Sequence, residues 1–238
     1  TKKATCTKDG VRTYTCSVCH TEKTETIPAL KHKWSAWKTK SAATVLKAKV
    51  QERTCSTCKK TQTRTTGEKL TPKATLNVKS LKLKKNQKTT AFKITGMAKG
   101  DYVKSWKSSD TNVVKVSGKK DGTCTITAQK QAGTATITIT FASGLVKTLK
   151  VKVQASTVKT TAISNIAKKA TLKKGKTLEL KPVLEPITSG EEITYESSDP
   201  TIAKVSKKGV VTALKPGTVT ITIKSGKLTV TCKITVKK

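Results

Sequence analysis

Residues 134–141 read Thr-Ala-Thr-Ile-Thr-Ile-Thr-Phe, and residues 218–223 read Thr-Val-Thr-Ile-Thr-Ile. Both alternate apolar and hydroxyl side chains with a period of two. An extended chain then presents Ala135, Ile137, Ile139 and Phe141 on one face and four threonines on the other. Val219, Ile221 and Ile223 form the same kind of stripe in the second stretch. Threonine and β-branched aliphatics favour strands, and the chain holds 45 threonines. No segment sustains a helical period. The sequence reads as all-β.

The two stretches lie in two copies of one unit. Residues 105–116 (SWKSSDTNVVKV) align with 194–205 (TYESSDPTIAKV), and 125–140 align with 210–224. One apolar face per strand, with Gly, Asp-Gly and Ser-Asp turns about every ten residues, predicts antiparallel two-sheet sandwiches over 73–154 and 155–238. Trp106 and Tyr195 occupy equivalent positions and are expected in the cores. Cys124 and Cys232 alternate with apolar neighbours and read as small buried hydrophobes. Ahead of these lies a shorter repeat. An offset of 39 superposes Ala4 on Ala43, Val11 on Val50, Cys16 on Cys55 and Cys19 on Cys58. This predicts two small hairpin modules, at 1–34 and 35–72.

The second sandwich copy carries an aromatic-x-Ser-Ser-Asp string, then Ile-x-x-Val, then GVVTA and PGTVTIT within 209–222. This pattern resembles the bacterial Ig-like group 2 domain. The first copy departs from it at DGTCTITA, where Cys124 falls on the pattern's turn glycine and the turn shifts to Asp121-Gly122. The resemblance implies extracellular β-sandwiches serving as spacers or adhesive units of surface proteins and modular secreted enzymes. The modules at 1–72, with Cys, then C-x-x-C, then IPAL-x-H-x-W, resemble Cys-rich repeats of secreted proteins of gut Firmicutes. The chain opens inside a repeat, which reads as a fragment or processed product.

Cys6, Cys16, Cys19 and His32 form a Cys3His set suited to tetrahedral zinc, with C-x-x-C as a knuckle. Such a small module needs a staple. Module two keeps the knuckle but replaces Cys6 by Val45 and His32 by Thr71. The joint loss agrees with one four-ligand site. Cys55 and Cys58 are then a disulfide, a dithiol or a partial site borrowing ligands elsewhere. Disulfides remain the alternative for a secreted chain, and free thiols a third. C-x-x-C-H at 16–20 is also the attachment signature of a c-type haem. That reading is set aside, because His20 superposes on Lys59 and the only methionine, Met97, belongs to the next domain.

Net charge is 49 − 14 = +35, a field that attracts polyanions. All but Arg12, Arg53 and Arg64 of the cations are lysines, spread along the whole chain. Lysine lacks the bidentate fork with which arginine reads phosphates and bases, which argues against specific nucleic-acid recognition. Anionic cell-wall polymers or acidic glycans are the expected partners. No apolar run reaches the roughly 18 residues of a membrane span, and no sorting signal stands out. Only His20 and His32 are histidines, and no Ser–His–Asp set, nucleophile elbow or P-loop occurs. Glu191-Glu192 reads as a solvated strand edge. Asp110 and Asp199 read as turn residues.

The sequence therefore points to a non-catalytic, secreted or cell-surface structural module. Two other readings are a carbohydrate-binding accessory module, with Trp34 and Trp37 as its platform, and a subunit of a surface fibre.

Overall fold

The computed structural model describes residues 1–238 and contains strands, turns and loops but no helix. The chain divides into two compact units, one of residues 1–73 with 98–101 and one of 74–97 with 102–238.

In the first unit each Cys module is built on a hairpin. Strands β1 (Gly10–Thr15) and β2 (Glu22–Ile27) pair antiparallel. Strands β3 (Lys38–Ser41), β4 (Lys49–Thr54) and β5 (Thr61–Thr66) form a three-stranded sheet. These strands are mostly exposed, and Cys6, Val45 and Cys55 are among the few buried side chains of the modules. Residues 2–4 cross directly over Gly10, where a Cβ would lie 2.5 Å from the Ala4 nitrogen. Only glycine fits beneath that strand.

In the second unit the first sandwich comprises β6 (Thr75–Leu76), β7 (Ser80–Lys84), β8 (Lys88–Thr89), β9 (Ile94–Thr95), β10 (Val103–Ser108), β11 (Val114–Gly118), β12 (Cys124–Ala128), β13 (Gly133–Phe141) and β14 (Val146–Gln154). The second follows in the same order: β15 (Ala162–Ser164), β16 (Lys169–Lys173), β17 (Thr177–Glu179), β18 (Val183–Glu185), β19 (Ile193–Ser197), β20 (Ala203–Val205), β21 (Val210–Ala213), β22 (Gly217–Ser225) and β23 (Leu228–Lys237). A four-stranded sheet β10-β13-β14-β7 faces a three-stranded sheet β11-β12-β8. The second copy repeats this as β19-β22-β23-β16 against β20-β21-β17. The expected antiparallel sandwich needs one correction. In both copies the first long strand pairs parallel with the last, β7 with β14 and β16 with β23. The rest of the domain between them supplies the crossover that parallel neighbours require.

The period-two stripes are buried as read. Ile137, Ile139 and Phe141 pack with Leu81, Leu83 and Ile126 in one core, while Ile221, Ile223 and Ile234 pack with Val211 in another. Each such side chain contributes roughly 1.5–3 kcal/mol relative to exposure. Cys124 and Cys232 are buried members of these cores, and burial raises both thiol pKa values, that of Cys124 to about 11.

Trp106 and Tyr195 are only half-buried at the sandwich edge, a correction to the expected core placement. Each packs closely against a glycine, Trp106 on Gly118 of β11 and the hydroxyl end of Tyr195 on Gly209 in the turn before β21. A Cβ on Gly118 would meet Trp106 at 2.3 Å, and one on Gly209 would meet Tyr195 at 2.8 Å. The hairpin turn of the first copy is indeed moved, to residues 119–123, and Gly118 replaces Gly209 as the aromatic's seat. Glu191 is not a solvated edge either. Its carboxylate accepts the Thr160 amide at 2.7 Å and lies over Gly226. Asp110 and Asp199 are turn residues, accepting the amides of Asn112 and Thr201 at 2.8 and 2.9 Å.

Candidate metal centre

In module one a Thr5-centred turn carries Cys6. The Thr5 hydroxyl accepts the Lys8 amide at 3.0 Å, and the Thr5 amide donates to the Lys8 carbonyl at 2.9 Å. The chain leaving β2 is tied back to this turn, since the Leu30 amide donates to the Thr5 carbonyl at 2.9 Å. Three residues later the same segment joins module two. The Ser56 amide donates to the Lys33 carbonyl, and the Ser35 amide to the Thr54 carbonyl, at 2.9 and 3.0 Å. His32 is thus held between module one's turn and module two's knuckle.

The knuckle is a tight loop. The Cys55 amide donates to the Lys60 carbonyl at 2.8 Å, the Lys59 amide to the Cys55 carbonyl at 3.0 Å, and Lys59 takes a left-handed φ of 61°. Cys6, His32, Cys55 and Cys58 consequently converge, with their ligand atoms all within 4.8 Å of one another. This corrects the set read from spacing. The structure brings Cys6 and His32 to Cys55 and Cys58, while Cys16 and Cys19 stand exposed outside the cluster.

The geometry suits a tetrahedral ion. Zn–S bonds of about 2.3 Å and Zn–N of about 2.0–2.1 Å imply S···S near 3.75 Å and S···N near 3.55 Å at tetrahedral angles. Cys6 Sγ lies 3.9 Å from Cys55 Sγ, and His32 Nδ1 lies 3.4 Å from Cys58 Sγ. A disulfide needs sulfurs about 2.05 Å apart, so the Cys6 and Cys55 sulfurs are at ligand spacing rather than bond spacing. The surroundings prepare one thiolate. Amide hydrogen bonds, that of Cys58 first, bring Cys55 down to about 5 against the opposing effect of burial. Cys6 is pushed the other way, to about 11, by burial and by the neighbouring thiols Cys58 and Cys55. A cation between them removes that penalty, because coordinating thiols ionise on the metal. Four such donors would fill the tetrahedral positions of an ion and leave none for a substrate or water.

Module two shows why its own donor residues differ. Thr44 repeats the Thr5 turn, accepting the Lys47 amide at 3.0 Å, and the Leu70 amide donates to the Thr44 carbonyl at 3.0 Å. Leu30 therefore matches Leu70, and the counterpart of His32 is Pro72 rather than Thr71. Val45, in place of Cys6, is buried, and its amide donates to the Lys99 carbonyl of segment 98–101. An apolar contact occupies the corner that holds the thiol in module one.

Trp34 and Trp37 form a ladder with two of the three arginines. Arg53 lies 4.9 Å from the Trp34 ring centre and 4.6 Å from that of Trp37, and Arg64 lies 4.3 Å from Trp37. Gln62 and Gln51 accept hydrogen bonds from these arginines at 2.8 and 2.9 Å. The rings cover the module through cation–π contacts instead of standing open. A cavity of about 510 Å³ in the first sandwich is lined by Phe92, Ile94, Cys124 and Asp121. Its one carboxylate, Asp121, is committed to the amide and hydroxyl of Thr123.

Comparison with known proteins supports the sandwich. Residues 157–236 match the model of the bacterial Ig-like domain (group 2). No curated protein matches the chain. Among solved structures, a GH10 xylanase from termite gut containing a bacterial Ig-like domain is 30% identical over 29% of this chain, with a TM-score of 0.26. This chain spans 18% of that xylanase. Domains 5–6 of the S-layer protein SbsC are 21% identical over 71% of this chain and 98% of theirs, with a TM-score of 0.36. The second sandwich, over 157–236, is thus similar to the bacterial Ig-like group 2 domain.

Proposed function

We propose that this chain is a non-catalytic extracellular spacer. A structural zinc on Cys6, His32, Cys55 and Cys58 joins its two Cys modules, and its lysine-coated sandwiches associate with anionic cell-wall polymers or acidic glycans. The match to a bacterial Ig-like domain supports the spacer role.

One observation supports the polyanion partner above the rest. Lys82 faces Lys152 across β7 and β14, while Lys169 faces Lys233 and Lys173 faces Lys237 across β16 and β23. All six side chains are exposed. Like charges directly opposite one another destabilise a sheet, and a bound polyanion relieves that repulsion. Neutralising several such lysines releases condensed counterions, so affinity falls steeply with salt. Retention on wall teichoic acid is expected to drop more than tenfold between roughly 50 and 500 mM NaCl. Retention that ignores salt would point to a specific pocket and contradict the reading.

A further inference from the structure

The C-x-x-C at 16–19 has the same shape as the one at 55–58, yet nothing in this chain completes it. The Cys16 amide donates to the Thr21 carbonyl at 2.9 Å, as Cys55 does to Lys60 at 2.8 Å. The His20 amide donates to the Cys16 carbonyl at 3.0 Å, as Lys59 does to Cys55. His20 takes φ 55° where Lys59 takes 61°. The Cys19 amide points at the Cys16 sulfur at 3.5 Å, and Cys19 Sγ rests on the Thr21 hydroxyl at 3.1 Å. Both sulfurs are exposed. Each module therefore carries an acceptor knuckle, and module one adds a donor corner of one cysteine and one histidine, Cys6 and His32. Where donor and acceptor meet, they belong to different modules, since Cys6 and His32 close on Cys55 and Cys58.

We infer that Cys16 and Cys19 are the acceptor half of a second zinc site, completed in a head-to-tail manner by the Cys…His donor corner of another module of this kind. Two thiolates on zinc leave two coordination positions. A thiolate and an imidazole set as Cys6 and His32 are set fill them in the geometry already seen at Cys55–Cys58. Binding releases the thiol protons, as at any Cys-ligated zinc. The donor of this chain is engaged internally, so the incoming donor comes from elsewhere. The arrangement is directional. Module one can accept a further module at its knuckle. Module two, with Val45 and Pro72, cannot donate onward. This inference rests on the zinc reading of the Cys6–His32–Cys55–Cys58 cluster.

The full-length C55S/C58S chain separates the possibilities, studied under reductant. It frees Cys6 and His32 and leaves Cys16 and Cys19 as the only knuckle. Sedimentation with stoichiometric zinc is expected to show zinc-dependent chains or rings of copies, with one zinc per copy. Chelator should reverse them, and adding C16S/C19S should abolish them. A monomer holding one zinc would mean that Cys6, Cys16, Cys19 and His32 unite within one module, overturning the inference. So would a monomer without zinc beside a zinc-loaded wild type. A wild type that binds no zinc would instead remove the cluster reading itself, and the inference with it.

A variant whose Cys modules fail to fold is covered by a second measurement on the wild type. With its first site filled, it is expected to take a further Co2+. Added imidazole and a small thiol should then raise the tetrahedral cobalt absorption, a response absent from C16S/C19S. No second cobalt bound through thiolate would overturn the inference as well.

Discussion

Asp199 accepts the Thr201 hydroxyl at 2.7 Å and its amide at 2.9 Å, and these bonds hold its carboxyl below the usual range. A carboxylate depressed on folding adds stability above its unfolded value, near 3.9, and that stability is lost as pH falls through the depressed value. Thr201→Val removes the first of these bonds, so an NMR titration should show Asp199 moving upward toward the ordinary range. An unchanged titration would mean the hydroxyl contributes nothing. At this scale the sequence already showed the chemistry of most residues: turn aspartates, buried core cysteines, and a cysteine and a histidine, Cys6 and His32, that belong to one cluster. It could not show that Glu191 caps an amide over Gly226. That depends on two loops meeting far apart in the chain.

At the scale of elements, the period-two stripes predict which face of each strand is buried, but not which strand lies beside it. The parallel pairs β7–β14 and β16–β23 are invisible to periodicity because a strand looks alike in either pairing. The grouping of donor side chains differs from the spacing-based set for a related reason. Within a tandem repeat, C-x-x-C from either module meets the same spacing rule, and only the crossing of residues 30–35 from one turn to the next knuckle decides the choice. Joint loss of donor residues in module two agrees with Cys6 and His32 belonging together, but does not say with which knuckle. The core makes its own prediction. Ile137→Ala and Ile221→Ala, both at fully buried positions, should each cost about 2–5 kcal/mol in denaturant unfolding. A loss under 1 kcal/mol would contradict the packing described.

Across the molecule, the surplus of 35 positive charges cannot be paired internally, and lysines face one another across strands on two sheets, which is the repulsion that the proposed anionic partner would relieve. Within the unit of two sandwiches the junction is fastened. Ile187 packs against the first core, the Thr188 hydroxyl donates to the Lys82 carbonyl, and the Gln87 amide donates to the Thr188 carbonyl at 2.9 Å. Gln87→Ala with Thr188→Ala should broaden the angle distribution between sandwiches measured by residual dipolar couplings. Unchanged couplings would show that these bonds do not hold the junction.

The most direct test of the account concerns which cysteines hold the metal within the chain. Zinc content and X-ray absorption of the C16S/C19S chain decide it. The cross-module site predicts one zinc per chain with three sulfurs and one nitrogen around it, as in the wild type. Loss of zinc from that variant would place the ligands within module one and contradict the account.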